Sequence, residues 1–315
     1  KNDPKLIMNK QENFNFLYCI DENYNFQCYI SICSLLKYSS NEITVHIIHQ
    51  NPDSFNKYLE KLNIRNVEIN LYHFEEKDTN FVSLRDHISE ATYYRLYIQK
   101  YLNNSIKNII YIDADIFANN PFTDILQSTL FQLNRSGNII GAFDIVNYNK
   151  FTYKKPYFNA GLLLIDYQRW ISEDLTEKLH TKLNNETELK YWDQDLLNNH
   201  FGENFLNINE FLNFHISLED KVIKLSKNHI KNNAFFVHYV GKTKPWDLNG
   251  MFLRNSFIYH KLIKEFNNGN LMLDVDSKND IFNFYLKNFS KIFRNSNFTY
   301  YIKNLFYSFR KNRGL

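Results

Sequence analysis

Three features of this 315-residue chain predict an α/β fold, a mostly parallel sheet with helices on both faces. Segments of strand character alternate with segments of helical spacing through the first half. Two of the strands end in an acid, Asp21 and Asp113, at the strand ends where open α/β sheets bind their ligands. No internal repeat and no clear linker interrupts the chain before about residue 250.

The elements follow in order. FNFLYCID (14–21) is an apolar strand, and YNFQCYISICSLLKYSS after it has helical spacing. EITVHIIHQ (42–50) is a second strand, SFNKYLEKLN a helix, and VEINLYHF (67–74) a third strand. SEATYYRLYIQKYL (89–102) is predicted as a helix with Ser89 as its N-cap. NIIYID (108–113) is a strand, and Pro121 marks the exit from the loop beyond it. NIIGAFD (138–144) and AGLLLIDY (160–167) are further strands, YWDQDLLNNHF (191–201) starts a helix, and NAFFVHYV (233–240) is the last strong strand.

Composition narrows the function. Phe (28) and Tyr (22) are abundant while Gly (8) and Pro (5) are scarce, which excludes collagen-like and linker-rich chains. The five N-x-S/T triplets follow from the high Asn content and are not read as glycosylation sites. Cys19, Cys28 and Cys33 form neither a CxxC pair nor an even framework, so a reducing compartment is expected. No apolar run reaches the roughly 18 residues of a membrane span, and no signal-peptide pattern is visible. Residues 1–13 read as a polar leader.

Asp113 and Asp115 are two apart, and on an extended backbone they point the same way. Two like charges on one face repel unless a positive group lies between them. The bland alternative is a polar strand end with two solvated acids. Four more segments bear on the choice. The absence of G-x-G-x-x-G after the first strand removes the usual dinucleotide turn. YFNAGLLLID sets Asn159 before Ala160 and Gly161, small residues that admit a close approach to the backbone. YWDQDLLN puts Asp193 and Asp195 at a helix start, where capping explains the acids but not Gln194. VHYVGKTKPW ends a buried strand with His238, then Gly241, Lys242, Lys244, Pro245 and Trp246; a lone strand His is ordinarily a core residue, but these lysines can hold an anion. Two carboxylates and a His form an octahedral site for a divalent cation when a diphosphate adds oxygens. One imidazole among oxygen donors favours Mn²⁺, with Mg²⁺ as a substitute. Such a cation would neutralise a departing diphosphate, and Lys244 would add a second positive charge.

In the order CIDENY, ATYYRL, YIDAD, YFNAGLLLID, DQDLLN and HYVGKTKPW, the chain resembles a glycosyltransferase of family 8. This family comprises retaining, metal-dependent enzymes of GT-A fold, a Rossmann-like architecture, and includes bacterial lipopolysaccharide galactosyl- and glucosyltransferases and glycogenin. The resemblance spans about residues 14–250 and implies a catalytic domain there. It implies that Asp113, Asp115 and His238 ligate Mn²⁺, and that Cys19, Asp21, Asn23 and Tyr24 hold uridine, with Tyr24 stacking on uracil. Asp113 and Ala114 also fall at the nucleotide, Gly241 and Lys244 at the diphosphate, and Arg95, Asn159, Gly161, Asp193 and Gln194 around the donor sugar. Gln194 and Asp193 are the implied catalytic residues. The family usually has a small residue at Cys19, and Trp192 is expected to alter the pocket wall. Retention would suggest a carboxylate nucleophile, but the residue matching the one that faces the anomeric carbon is Gln194, a poor nucleophile. The resemblance therefore implies a front-face mechanism, with double displacement left open.

Residues 281–315 contain seven basic residues and no acid, leaving 30 basic against 34 acidic residues elsewhere. Phe298, Tyr301, Ile302, Leu305, Phe306 and Phe309 have helical spacing, with Lys303 and Arg310 among the polar positions. Residues 251–315 are thus expected to be a helical, basic and aromatic appendage that associates with an anionic membrane surface. The stretch 281–293 can equally pack on the catalytic domain. Nothing else in the chain reads bases, so no nucleic-acid partner is expected. The expected reaction moves galactose or glucose from UDP to a lipid-linked saccharide such as lipopolysaccharide or lipooligosaccharide core, on the cytoplasmic face of the membrane. Two other readings compete: a non-catalytic membrane-associated sugar-binding protein, and a phosphoryl-transfer enzyme using the Asp-x-Asp pair.

Overall fold

The computed structural model describes residues 13–63, 65, 67–75, 90–146, 156–185, 189–218, 226–248, 250–251 and 253–269. The chain runs β1 (Phe14–Ile20), α1 (Asn25–Tyr38), β2 (Ile43–His49), α2 (Asn56–Asn63), β3 (Glu68–His73) and α3 (Ile98–Tyr101). It continues through β4 (Asn108–Ile112), β5 (Ile116–Ala118), α4 (Thr123–Ser136), β6 (Ile140–Asp144), β7 (Phe158–Asp166), α5 (Tyr167–Ser172) and α6 (Leu175–Asn185). Then follow α7 (Trp192–Phe201), β8 (Leu206–Asn207), β9 (Phe214–Ser217), α8 (Lys227–Asn233), β10 (Phe236–Val240) and α9 (Phe257–Phe266). Seven strands form the main sheet in the order β3-β2-β1-β4-β7-β6-β8, and β5, β10 and β9 form a second, smaller sheet.

Alternation along β1 divides the core. Phe14, Phe16, Tyr18 and Ile20 pack on one face with α1, α4 and α9, while Leu17 and Cys19 pack on the other with α5, α6 and α7. Burial on both faces explains why β1, β2 and β4 are largely apolar rather than strictly alternating. The pairings β1–β2, β1–β4, β2–β3 and β6–β8 are parallel. β7 runs antiparallel to both β4 and β6, so the sheet is mixed on that side.

The structure bears out one of the sequence expectations in an unforeseen setting and corrects two. The strand expected at 233–240 is β10, which belongs to the smaller sheet and pairs with β5 and β9, two short strands the sequence did not signal. The helix expected over 89–102 is a 3₁₀ stretch, Glu90–Tyr97, followed by one turn of α-helix, and Ser89 lies outside the described residues. Six of the eight 3₁₀ residues are buried, and the Arg95 side chain donates Nε–H to Thr92 O at 3.0 Å. Side chains needed on several sides at once favour the tighter pitch. Finally, Asp113 and Asp115 are not on an extended strand. They bracket a turn between β4 and β5, closed by Ile116 N–H donating to Asp113 O at 3.1 Å.

Two buried serines of α1 fix that turn. Ser31 donates to Ile116 O at 2.6 Å, and Ser34 Oγ accepts from Ala118 N–H at 2.8 Å. Residues 1–12 of the polar leader and 270–315 of the C-terminal appendage, the basic tail included, lie outside the described residues, as does the membrane-associating helix expected there. No helix among the described residues is long and apolar enough to cross a membrane. Replacing Ser34 by Ala would leave the buried Ala118 N–H without its partner. We expect Ser34→Ala to lower the urea midpoint at unchanged slope, by about 1–3 kcal/mol. A loss within measurement error would mean the turn is held by its strands alone.

Candidate active site

A cavity of about 370 Å³ opens at the carboxyl ends of β1 and β4. Cys19, Asp21 and Tyr24 line it from the first strand and the turn after it; Arg95 from the 3₁₀ stretch; Asp113, Ala114 and Asp115 from the β4–β5 turn. Trp192, Asp193 and Gln194 enter from the start of α7, and Lys244 from the loop after β10. Elements far apart in sequence thus deliver the expected polar residues to one space.

Asn159, Gly161 and His238 do not line the cavity but contact residues that do: Gln194, Asp113 and Asp115 respectively. A Cβ on Gly161 would sit 2.4 Å from His238 Cε1 and 2.9 Å from Asp113 Oδ2, so only glycine lets β7 pass behind these two side chains. Asn23 and Gly241 do not line the cavity. Asn23 is exposed and donates its backbone N–H to Asp21 Oδ1 at 2.9 Å; Gly241 leaves β10 with φ 89°. Tyr24 meets Trp246 edge-on, ring centroids 6.3 Å apart. Trp192 reaches the cavity wall from a left-handed backbone, φ 48°, a conformation a bulky residue adopts only when its surroundings hold it there.

Charge organises the site. Arg95 is buried against the Tyr111 ring at 3.8 Å and serves two acids, Asp113 Oδ1 at 3.0 Å and Asp193 Oδ2 at 3.1 Å. It also donates to Ala160 O at 2.6 Å, and Tyr111 O–H donates to Asp113 Oδ1 at 2.5 Å. Lys244 Nζ donates to Asp115 Oδ2 at 2.7 Å and to Tyr239 O at 2.6 Å. Three carboxylates therefore share two cations, a net charge of −1 before Asp21 is counted. Burial and the neighbouring Asp115 raise the Asp113 carboxyl, against the pull of Arg95. Burial also pushes Asp115 up, but Lys244 and His238 override it and hold that acid below its ordinary value. Burial pushes Asp193 up to about 7, although Arg95 draws it down. Burial lowers His238, against the pull of Asp115 and Asp113.

Asp113, Asp115 and His238 each offer a ligand atom, all within 4.8 Å of one another. Asp115 Oδ1 is buried, accepts no hydrogen bond, and lies 3.4 Å from His238 Nε2. An orphaned carboxylate oxygen beside an imidazole nitrogen, in a site short of positive charge, fits a divalent cation.

A second set of polar side chains runs behind the cavity. Gln194 Oε1 accepts from Ala160 N–H at 3.0 Å and from Asn159 Nδ2 at 3.2 Å, and Gln194 Nε2 donates to Tyr157 OH at 3.2 Å. Tyr157 O–H donates to Asp195, which also accepts from Tyr191 N–H at 2.6 Å. Asp195 thus reaches back to the N–H of the N-cap residue Tyr191, a bond that neither Gln194 nor Asp193 makes. Tyr157, Tyr111 and Asn213 were not picked out by sequence reasoning. Tyr111 reads as one more core residue of an apolar strand, and Asn213 is one Asn among many.

The fold is that of GT-A glycosyltransferases. A galactosyltransferase, LgtC, solved in complex with donor and acceptor sugar analogs, matches with a TM-score of 0.65 at 20% identity, covering 84% of this chain and 98% of that one. The glycosyltransferase GlyE of Streptococcus pneumoniae matches with a TM-score of 0.62 at 19% identity, covering 88% and 64%. The chain belongs to glycosyl transferase family 8, whose model matches residues 15–250. Among curated relatives, a lipopolysaccharide 1,2-glucosyltransferase of Escherichia coli is 28% identical over 257 residues, 76% of this chain and 75% of that one. A lipopolysaccharide 1,3-galactosyltransferase of Salmonella typhimurium is 26% identical over 254 residues, 75% and 73%.

The raised Asp193 has a consequence for stability. Between its ordinary value and about 7 the unfolded chain has lost this proton and the folded chain keeps it, so Asp193 makes stability fall as pH rises through that window. Asp193→Asn mimics the protonated acid. Without added metal it should match the parent near pH 4 and be more stable at pH 8, by roughly 1–3 kcal/mol in urea titrations. A variant less stable at pH 8 would show that the Arg95 pair outweighs burial.

Proposed function

We propose that this chain is a retaining hexosyltransferase (EC 2.4.1 class) that moves galactose or glucose from a UDP-sugar to a saccharide acceptor, lipopolysaccharide or lipooligosaccharide core or another bacterial surface glycan. The observation that carries the reading is the convergence of Asp113, Asp115 and His238 within 4.8 Å, beside a cavity with two further cations. The names of the relatives, which act on lipopolysaccharide, support the acceptor class.

In this reading Asp113, Asp115 and His238 hold Mn²⁺, with Mg²⁺ as a substitute, and the cation supplies charge neutralisation for a leaving diphosphate. Lys244 now pairs with Asp115 Oδ2; a cation there would free its ammonium for the same phosphates. Cys19, Asp21 and Tyr24 line the end of the cavity assigned to the nucleotide, with Asn23 and Gly241 shaping its turns. Arg95 fixes Asp113 and Asp193 in one orientation, leaving Asp193 to accept from a sugar hydroxyl. The Gln194 carbonyl already accepts two N–H groups, which withdraws electron density from it and makes it a weak nucleophile. That favours front-face transfer over a glycosyl-enzyme intermediate.

The phosphoryl-transfer alternative needs a free first acid, yet Asp113 Oδ1 is engaged by both Arg95 and Tyr111. A non-catalytic sugar binder would bind donor without turnover. Hydrolysis of UDP-galactose and UDP-glucose without acceptor separates the cases. We expect turnover with Mn²⁺, none in EDTA, and little with GDP- or CDP-sugars. Asp115→Asn should lower turnover at least about a hundredfold with an unchanged circular dichroism spectrum. Full activity in EDTA would end the metal assignment.

The proposed location is the cytoplasmic face of the membrane, supported by the seven basic residues and eleven aromatic rings of 281–315. The full chain should sediment with anionic vesicles and be released by salt, since exposed charges are screened. Truncation at Ser296 should weaken sedimentation and spare UDP-sugar hydrolysis. Equal sedimentation of both proteins would show that the final segment is no anchor.

A further inference from the structure

The direction of every hydrogen bond in one buried chain follows from two backbone N–H groups, which can only donate. Gly161 N–H donates to one side-chain atom of Asn159 at 3.0 Å, so that atom is the carbonyl oxygen Oδ1. The fully buried Asn213 faces this same oxygen at 3.0 Å, and two carbonyl oxygens repel, so the facing atom is the amide Nδ2. The other terminal atom of Asn213 is then its carbonyl oxygen, 3.0 Å from His238 Nδ1. A carbonyl only accepts, so His238 carries a proton on Nδ1. In the neutral imidazole Nε2 is then a bare lone pair, 3.4 Å from the orphaned Asp115 Oδ1. The other end of the chain gives the same answer independently. Ala160 N–H fixes Gln194 Oε1 as an acceptor at 3.0 Å, and Asn159 Nδ2 donates to it at 3.2 Å.

We infer that Asn213 is a positioning residue. By accepting the Nδ1 proton it sets the His238 tautomer so that Nε2 faces the carboxylates ready to bind a divalent cation, and through Asn159 it ties that nitrogen to Gln194. The inference rests on the metal reading above. Asn213 touches no cavity-lining carboxylate itself; it acts through the imidazole, as hydrogen-bonded partners of metal-binding histidines do.

Two measurements test it. Long-range ¹H–¹⁵N correlation spectra of the full, histidine-labelled chain in EDTA at pH 8 report the tautomer, with the His238 signals assigned by their loss in His238→Gln. We expect a protonated Nδ1 and a bare Nε2. Mn²⁺ binding is then read by electron paramagnetic resonance. Asn213→Asp keeps an acceptor for Nδ1–H but sets an oxygen against Asn159 Oδ1, so it should keep the Nδ1 proton and bind Mn²⁺ within about tenfold of the parent. Asn213→Leu has no acceptor and should bind about 10–100-fold more weakly. A proton on Nε2 in the parent, or parental Mn²⁺ affinity in Asn213→Leu, would overturn the inference. Should Asn213→Leu fail to fold, the parent's tautomer and the Asp variant decide. Should the parent bind no Mn²⁺, the metal reading falls, while the spectrum still tells whether Asn213 sets the tautomer.

Discussion

Three carboxylates, Asp113, Asp115 and Asp193, share two cations, Arg95 and Lys244, in a site largely withdrawn from water. Like charges this close raise one another's proton affinity unless compensated. Burial pushes all three acids up; Lys244 overrides it at Asp115, while the one guanidinium shared by Asp113 and Asp193 does not, and both stay raised. A site built this way is strained toward accepting positive charge, and the surrounding fold keeps it from collapsing.

The supports are backbone and buried amides. β7 passes behind the acids at Gly161, and the serines of α1 hold the strand that follows the turn. Arg95 is clamped by Ala160 O and the Tyr111 ring, so its guanidinium cannot leave to follow solvent. In the loop after β10, a Cβ on Gly250 would lie 1.8 Å from Lys244 O, so glycine there lets the chain turn tightly enough to bring Lys244 over Asp115. Each constraint adds little alone. Together they fix distances that a flexible set of charges would not keep.

Much of this was legible in the sequence, because apolar runs mark the buried strands and acids at their ends mark the cavity. Cys19, Asp21, Tyr24, Arg95, Asp113, Asp115, Asp193, Gln194 and Lys244 all line one space. What was not legible depends on contacts between distant segments. The stretch from Asp113 to Pro121 reads as a loop, and β5 (Ile116–Ala118) within it gains its strand partner only from the distant β10. The three strands β5, β8 and β9 are too short for a period-two pattern to register. The sense of β7, antiparallel to both of its neighbours, is something a list of strands does not convey. Asn213 gave no signal, because its role lies wholly in which atoms of Asn159 and His238 it faces.

The central claim is that the charge deficit at Asp113 and Asp115 is a binding site for a divalent cation. Anomalous diffraction at the manganese edge, from crystals of the full chain grown with Mn²⁺ and UDP, tests it most directly. The account predicts one strong peak among Asp113, Asp115 and His238 Nε2, with the Lys244 ammonium moved off Asp115 toward the phosphates. The absence of a peak there at millimolar Mn²⁺, with Lys244 still paired to Asp115, would contradict it.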